Sequence, residues 1–233
     1  MQKVRELFRR VQAAHPADTF FDVAIEAIAA SKTAKAHYKA YDRALSVMDA
    51  QSRETLYTKA VRHFLDHRPG QLKQGFFNQL NECFAYRHLL HQGYQEINVL
   101  DENRANSKGK RQSRQPDIGY LDAGEQCFCE VKSVGISDDE IKIRGSGEAF
   151  STNYHQLSDE FFQKLNYDIT QANEQIKSAG KRGIVYIVVT YDDFSRTYYK
   201  DNRVQLRQFL NSHSSKNIYI KSGIVGNRRI YNF

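Results

Sequence analysis

Pro116-Asp117-Ile118-Gly119-Tyr120-Leu121, then Asp122-Ala123-Gly124-Glu125, then Gln126-Cys127-Phe128-Cys129-Glu130-Val131-Lys132, is the stretch whose reading decides the fold. Two runs rich in β-branched, aromatic and other apolar residues flank an Asp-Ala-Gly-Glu break, the pattern of a β-hairpin. With the turn centred between Ala123 and Gly124, counting outward in both directions sets Asp117 opposite Glu130. Opposed side chains in a hairpin have Cβ atoms about 4.5–5.5 Å apart, and like charges so placed repel. Period two puts Lys132 on the face of Glu130, one pleat further on. Two carboxylates and an ammonium are therefore expected on one patch, an arrangement that costs stability unless something uses it. A divalent cation between the carboxylates would remove the repulsion. A one-residue slip of the turn would instead send Asp117 and Glu130 to opposite faces.

Working outward, Gln71 to about Gln92 reads as a single long helix that is apolar around most of its circumference, with Phe76, Phe77, Leu80 and Phe84 on one stripe. Glu82 sits within that apolar surface. Burial of an unpaired carboxylate is costly, which leaves two readings, a salt bridge to an arginine such as Arg87 or a carboxylate aimed at the hairpin. Gly93 stops the helix and Gln95 to Leu100 has the make-up of a short strand. Asp101 to Gln115 then breaks the pattern and carries Arg104, Lys108, Lys110, Arg111 and Arg114 straight into Pro116-Asp117. A cationic loop of this length reads either as a phosphate-binding flap over the hairpin or as a solvated connection.

Beyond the hairpin, Ser133 to Asn153 is irregular. Ser158-Asp159-Glu160 opens a helix with Phe162, Leu165, Ile169, Ala172 and Ile176 on one stripe, closed by Gly180. Ile184 to Val189 is a continuous apolar run, the signature of a strand buried on both faces. Val204 to Leu210 suggests a further helix, and Asn217 to Ile220 and Arg228 to Phe233 suggest short strands near an edge. Residues 1–69 show only helical periodicity, beginning with Val4, Leu7, Phe8 and Val11 among basic neighbours. The expected architecture is α/β, a central mixed sheet flanked by helices over residues 70–233, preceded by an all-helical N-terminal region over residues 1–69.

Composition narrows the classes. The 233 residues carry a formal net charge of +7, which favours a polyanionic partner. Nowhere do about 18 apolar residues run together and Met1 opens a charged amphipathic segment, so a cytoplasmic protein with no membrane partner is expected. Cys83, Cys127 and Cys129 have neither zinc-knuckle spacing nor an even disulfide framework and read as reduced core residues. No Gly-rich phosphate loop is present, which speaks against an NTPase.

The order acidic helix, strand, Pro-Asp strand, Glu-x-Lys strand, helix, buried strand resembles the PD-(D/E)xK nuclease superfamily, the restriction-endonuclease-like fold. The matching residues are Pro116-Asp117 and Glu130-Val131-Lys132, with Glu82 in the position of the acidic residue on the first core helix. The resemblance spans roughly residues 71 to 190. It implies a metal-dependent DNA endonuclease in which Asp117 and Glu130 hold Mg²⁺, or Mn²⁺, with the Val131 carbonyl as a further ligand and Glu82 binding a second metal or holding a metal-bound water. It implies that Lys132 orients or deprotonates the attacking water. Gln171, on the helix after the Glu-x-Lys strand, is a candidate accessory residue, although the Gln-x-x-x-Tyr pattern of one branch of the family is absent. The expected substrate is double-stranded DNA, cut in restriction fashion by a homodimer. The competing readings are a structure-specific repair or junction nuclease and a nucleic-acid-binding or assembly module on the same fold without catalysis.

Overall fold

The hairpin forms as β2 (Ile118–Asp122) and β3 (Glu125–Val134), antiparallel, with Ile118 opposite Cys129 and Asp122 opposite Glu125. Ala123 and Gly124 occupy the turn at φ 50° and 83°, the positive pair that a two-residue type I′ turn needs. Glycine adopts that conformation freely; Ala123 does so against the steric preference of its Cβ. This is the turn centre expected from the sequence, and the register holds as far as Ile118 opposite Cys129, one step short of Asp117 and Glu130.

The computed structural model describes residues 1–66, 73–101, 115–135, 156–191, 199–213 and 217–224. Within them a five-stranded mixed sheet has the order β1-β2-β3-β4-β5, where β1 is Gln95–Val99, β4 is Gly183–Tyr191 and β5 is Ile218–Ile224. β1, β2 and β3 are antiparallel neighbours, whereas β4 and β5 run parallel to β3. The proposed strand at Arg228 to Phe233 lies outside the described residues.

β4 separates two cores. Its even-numbered apolar residues Ile184, Tyr186 and Val188 join one cluster, and Val185, Ile187 and Val189 join the other, as expected of a strand buried on both faces. The second cluster is closed by α7 (Asp159–Ser178) through Leu165, Ile169, Ala172 and Ile176, and by Leu206 of α8 (Tyr199–Ser212). Gly183 opens β4 where a Cβ would overlap the Phe128 carbonyl, so the two strands approach only because no side chain is there.

The opposite face carries α1 (Gln2–Ala14), α2 (Phe20–Ala30), α3 (Lys32–Ser46), α4 (Ala50–Arg62), α5 (Gln74–Leu80) and α6 (Glu82–His91). Their buried residues, from Val4 and Phe8 to Phe84 and Leu89, share one cluster with Ile118, Tyr120, Cys127 and Cys129 of the hairpin. The helix expected over Gln71 to Gln92 is two helices meeting at Asn81. The buried Asn81 side chain accepts from the Tyr41 hydroxyl at 2.7 Å and donates to Ser133 Oγ at 2.9 Å, tying α3 to β3 at the break. Periodicity could not show the break, because both halves keep the same apolar phase.

α4 and α6 are clamped by Asp49. Its carboxylate caps α4 by accepting the Ser52 N–H at 2.8 Å and accepts the Tyr86 hydroxyl of α6 at 2.8 Å. Burial pushes the Asp49 carboxyl up, but the Ser52 and Tyr86 hydrogen bonds outweigh it and hold the group below its ordinary value. A folded-state value below the unfolded one means that this stabilisation is present above about pH 4 and lost as pH falls through the folded value. Asp49→Ala is accordingly expected to lower stability by about 1–2 kcal/mol at pH 7 and by less near pH 3, read from urea unfolding at the two pH values. Ala123→Asn, which tolerates the left-handed turn conformation, is expected to raise stability by about 0.5–1 kcal/mol in the same assay.

Candidate metal centre

The site grows from the place where the β2–β3 ladder stops. Phe128 N–H donates to the Arg182 carbonyl, so the even-numbered residues of β3 turn their main-chain groups towards β4 and the odd-numbered ones towards β2. Cys129 still finds a partner in Ile118. At the next odd position the Val131 N–H donates instead to Asp117 Oδ2, at 2.8 Å, while the Asp117 carbonyl accepts from Leu100 N–H. A carboxylate thus replaces the main-chain partner exactly one step beyond the ladder, and the Val131 carbonyl faces the same opening.

Around this opening stand the four side chains singled out by the sequence. Glu130 and Lys132 share a face by alternation, and Lys132 Nζ donates to Glu130 Oε1 at 2.8 Å. Glu130 is buried, and the Lys132 side chain keeps 17% of its surface exposed. Glu82 is the first residue of α6, near the positive end of that helix, and is buried with it. The buried Cys129 thiol marks the common ground of all three acids. Burial pushes its pKa well up, and the charges of Asp117, Glu130 and Glu82 push it further the same way. It stays neutral and is no nucleophile.

The residue that sequence reasoning missed is Lys59 of α4. Its side chain is fully buried, with Nζ 2.6 Å from Glu82 Oε1 and 4.0 Å from Asp117 Oδ1. Glu82 therefore meets both expectations at once, forming an ion pair and lying beside the hairpin, with a lysine in the part assigned to an arginine. A signal was present in the chain. Lys59 falls on the buried stripe of α4 with Ser52, Leu56 and Ala60, where a charged residue is out of place.

On the α7 side, Lys132 opens into a cleft of about 430 Å³ lined also by Tyr167, Asp168, Gln171, Glu174 and Gln175. Gln171 thus shares a cleft with Lys132, its Nε2 donating to Glu174 Oε2 at 3.1 Å. Gln175 Nε2 donates to the Gln115 carbonyl at 3.0 Å, fastening α7 to the segment that leads into Asp117. The cationic residues Arg104, Lys108, Lys110, Arg111 and Arg114 lie outside the described residues.

The groups named by the sequence, three carboxylates and a main-chain carbonyl, would offer oxygen donors throughout, a chemistry that suits Mg²⁺ or Mn²⁺ rather than a soft metal. Among the described residues no group of three or more His, Cys, Asp or Glu side chains is already drawn around one point. The ammonium groups of Lys59 and Lys132 stand against the carboxylates instead. Three acids against two ammonium groups leave a single formal negative charge.

Breaking the innermost pair should be costly, because truncation strands a buried charge. Glu82→Ala is expected to lose roughly 3–5 kcal/mol of unfolding free energy and Glu82→Gln less, measured by urea denaturation. Comparison with known proteins returned no matching family model, no matching curated protein and no matching solved structure.

Proposed function

We propose that this protein is a metal-dependent endonuclease that hydrolyses DNA phosphodiester bonds, with the restriction-endonuclease-like arrangement of the PD-(D/E)xK superfamily. The observation that supports the reading is the end of the β2–β3 ladder, where Asp117 accepts the N–H of Val131, the residue between Glu130 and Lys132, and lies 4.0 Å from Lys59, the partner of Glu82. The element order α6-β1-β2-β3-α7-β4 supports it, as does the net charge of +7 for a polyanionic substrate.

Asp117 and Glu130, with the Val131 carbonyl and Glu82, would hold Mg²⁺ or Mn²⁺. When bound, a divalent cation supplies charge neutralisation at the phosphate and a readily deprotonated water. Lys132 borders both the acids and the open cleft, so its ammonium is placed to orient the attacking water and to offset charge as the phosphorane-like transition state forms. Glu130 Oε1 fixes that ammonium in place. Gln171 borders the same cleft as an accessory polar group. The cationic residues Arg104, Lys108, Lys110, Arg111 and Arg114 belong to the proposal as phosphate contacts that position the duplex. Cutting both strands is simplest for a twofold-symmetric dimer, each copy attacking one strand.

A second reading, a nucleic-acid-binding module on the same fold without catalysis, draws on Lys59, whose ammonium already balances part of the acidic charge. Incubation with plasmid and with branched DNA in Mg²⁺, Mn²⁺ and EDTA separates the two. The nuclease reading expects cleavage in metal, none in EDTA, no activity in Asp117→Ala and a loss of about 10²-fold or more in Lys132→Ala. DNA retention with no metal-dependent cleavage of either substrate would favour the second reading. Cleavage that survives Asp117→Ala would overturn the site.

A further inference from the structure

The mechanism above gives Lys59 no task, yet its position is closely determined. It comes from α4, and α4 is clamped to α6 by Asp49, which accepts from both the Ser52 N–H and the Tyr86 hydroxyl. The start of α4 is thus joined to α6 at a second point besides the Lys59–Glu82 pair. A lysine at a fully buried position carries a large desolvation cost, and an apolar residue of similar length would fill the same space without it. Its ammonium lies against two of the acids assigned to the metal site, Glu82 at 2.6 Å and Asp117 at 4.0 Å.

Resting on the reading of Glu82, Asp117 and Glu130 as a cation site, we infer that Lys59 is a built-in counter-ion that competes with the divalent cation. In the metal-free protein it neutralises Glu82 and Asp117 and holds them beside β3, so the fold does not depend on metal. Metal entry then exchanges one positive charge for another. Two consequences follow from charge alone. Removal of Lys59 leaves three carboxylates facing one ammonium, which weakens the metal-free protein. The same removal raises affinity for a divalent cation, because the cation no longer approaches an ammonium. Lys59 is thus a positioning residue, one that trades metal affinity for a preformed site.

Lys59→Met tests this, since methionine nearly matches the length of the lysine stem. Mn²⁺ affinity is read from the electron paramagnetic resonance signal of free Mn²⁺, and Tm is measured in EDTA and in excess Mn²⁺. The variant is expected to bind Mn²⁺ about tenfold or more tightly than the wild type. Its Tm should fall in EDTA and rise with Mn²⁺ by more than the wild-type Tm does. If the single variant does not fold, the comparison is made between Lys59→Met/Glu82→Gln and Glu82→Gln, where loss of Lys59 should again tighten Mn²⁺ binding. Equal or weaker binding without Lys59, with Asp117→Asn abolishing binding in both backgrounds, would overturn the inference and leave the cation site standing. No Mn²⁺ binding by any of these proteins would remove the cation site, and the inference with it.

Discussion

The structure turns on a local mismatch in strand length. β3 remains paired to β4 as far as Val134 opposite Val189, but its antiparallel partner β2 reaches only to Ile118 opposite Cys129. Beyond that point a part-buried N–H at Val131 has lost its main-chain acceptor, and such a group must find another. The Asp117 carboxylate is that acceptor. One side chain therefore closes the sheet and opens the site, because the gap left by the departing strand is where groups from both helical layers can meet.

The two lysines enter this gap from different environments. Lys59 arrives through the N-terminal helical layer and is wholly buried, while Lys132 lies on β3 and retains 17% exposure beside the cleft under α7. An ammonium shut away from water acts through its fixed charge, and one at a cleft can also exchange hydrogen bonds with a substrate or a water. The same residue type is thereby suited to two tasks. The N-terminal helices are consequently part of the site's construction. They share a core with the hairpin, and α4 delivers a charge to its acids.

Several features were legible because they depend on short-range rules. Turn chemistry gave the register that the structure keeps from Asp122–Glu125 to Ile118–Cys129 through the positive φ values of Ala123 and Gly124, and alternation put Lys132 beside Glu130. The apolar stripe of α7 and the uninterrupted run of β4 were equally clear, since each is a periodic demand of burial. Glu82 stood out as a carboxylate on an apolar helix. The Asn81 break did not, because it rests on hydrogen bonds to Tyr41 and Ser133, residues distant in sequence.

By itself, then, the sequence determined the hairpin, its register and the shared face of Glu130 and Lys132, because strand geometry converts spacing directly into facing. Tertiary structure alone decided which cation meets Glu82. Lys59 and Glu82 are separated by 23 positions and come together only in the folded chain, which sets Lys59 of α4 against the first residue of α6. Periodicity specifies which face of a helix is buried; it carries no information on what that face will meet. The buried charge pair was written in the chain as two misplaced charged residues, and it took the tertiary fold to show that they belong to each other.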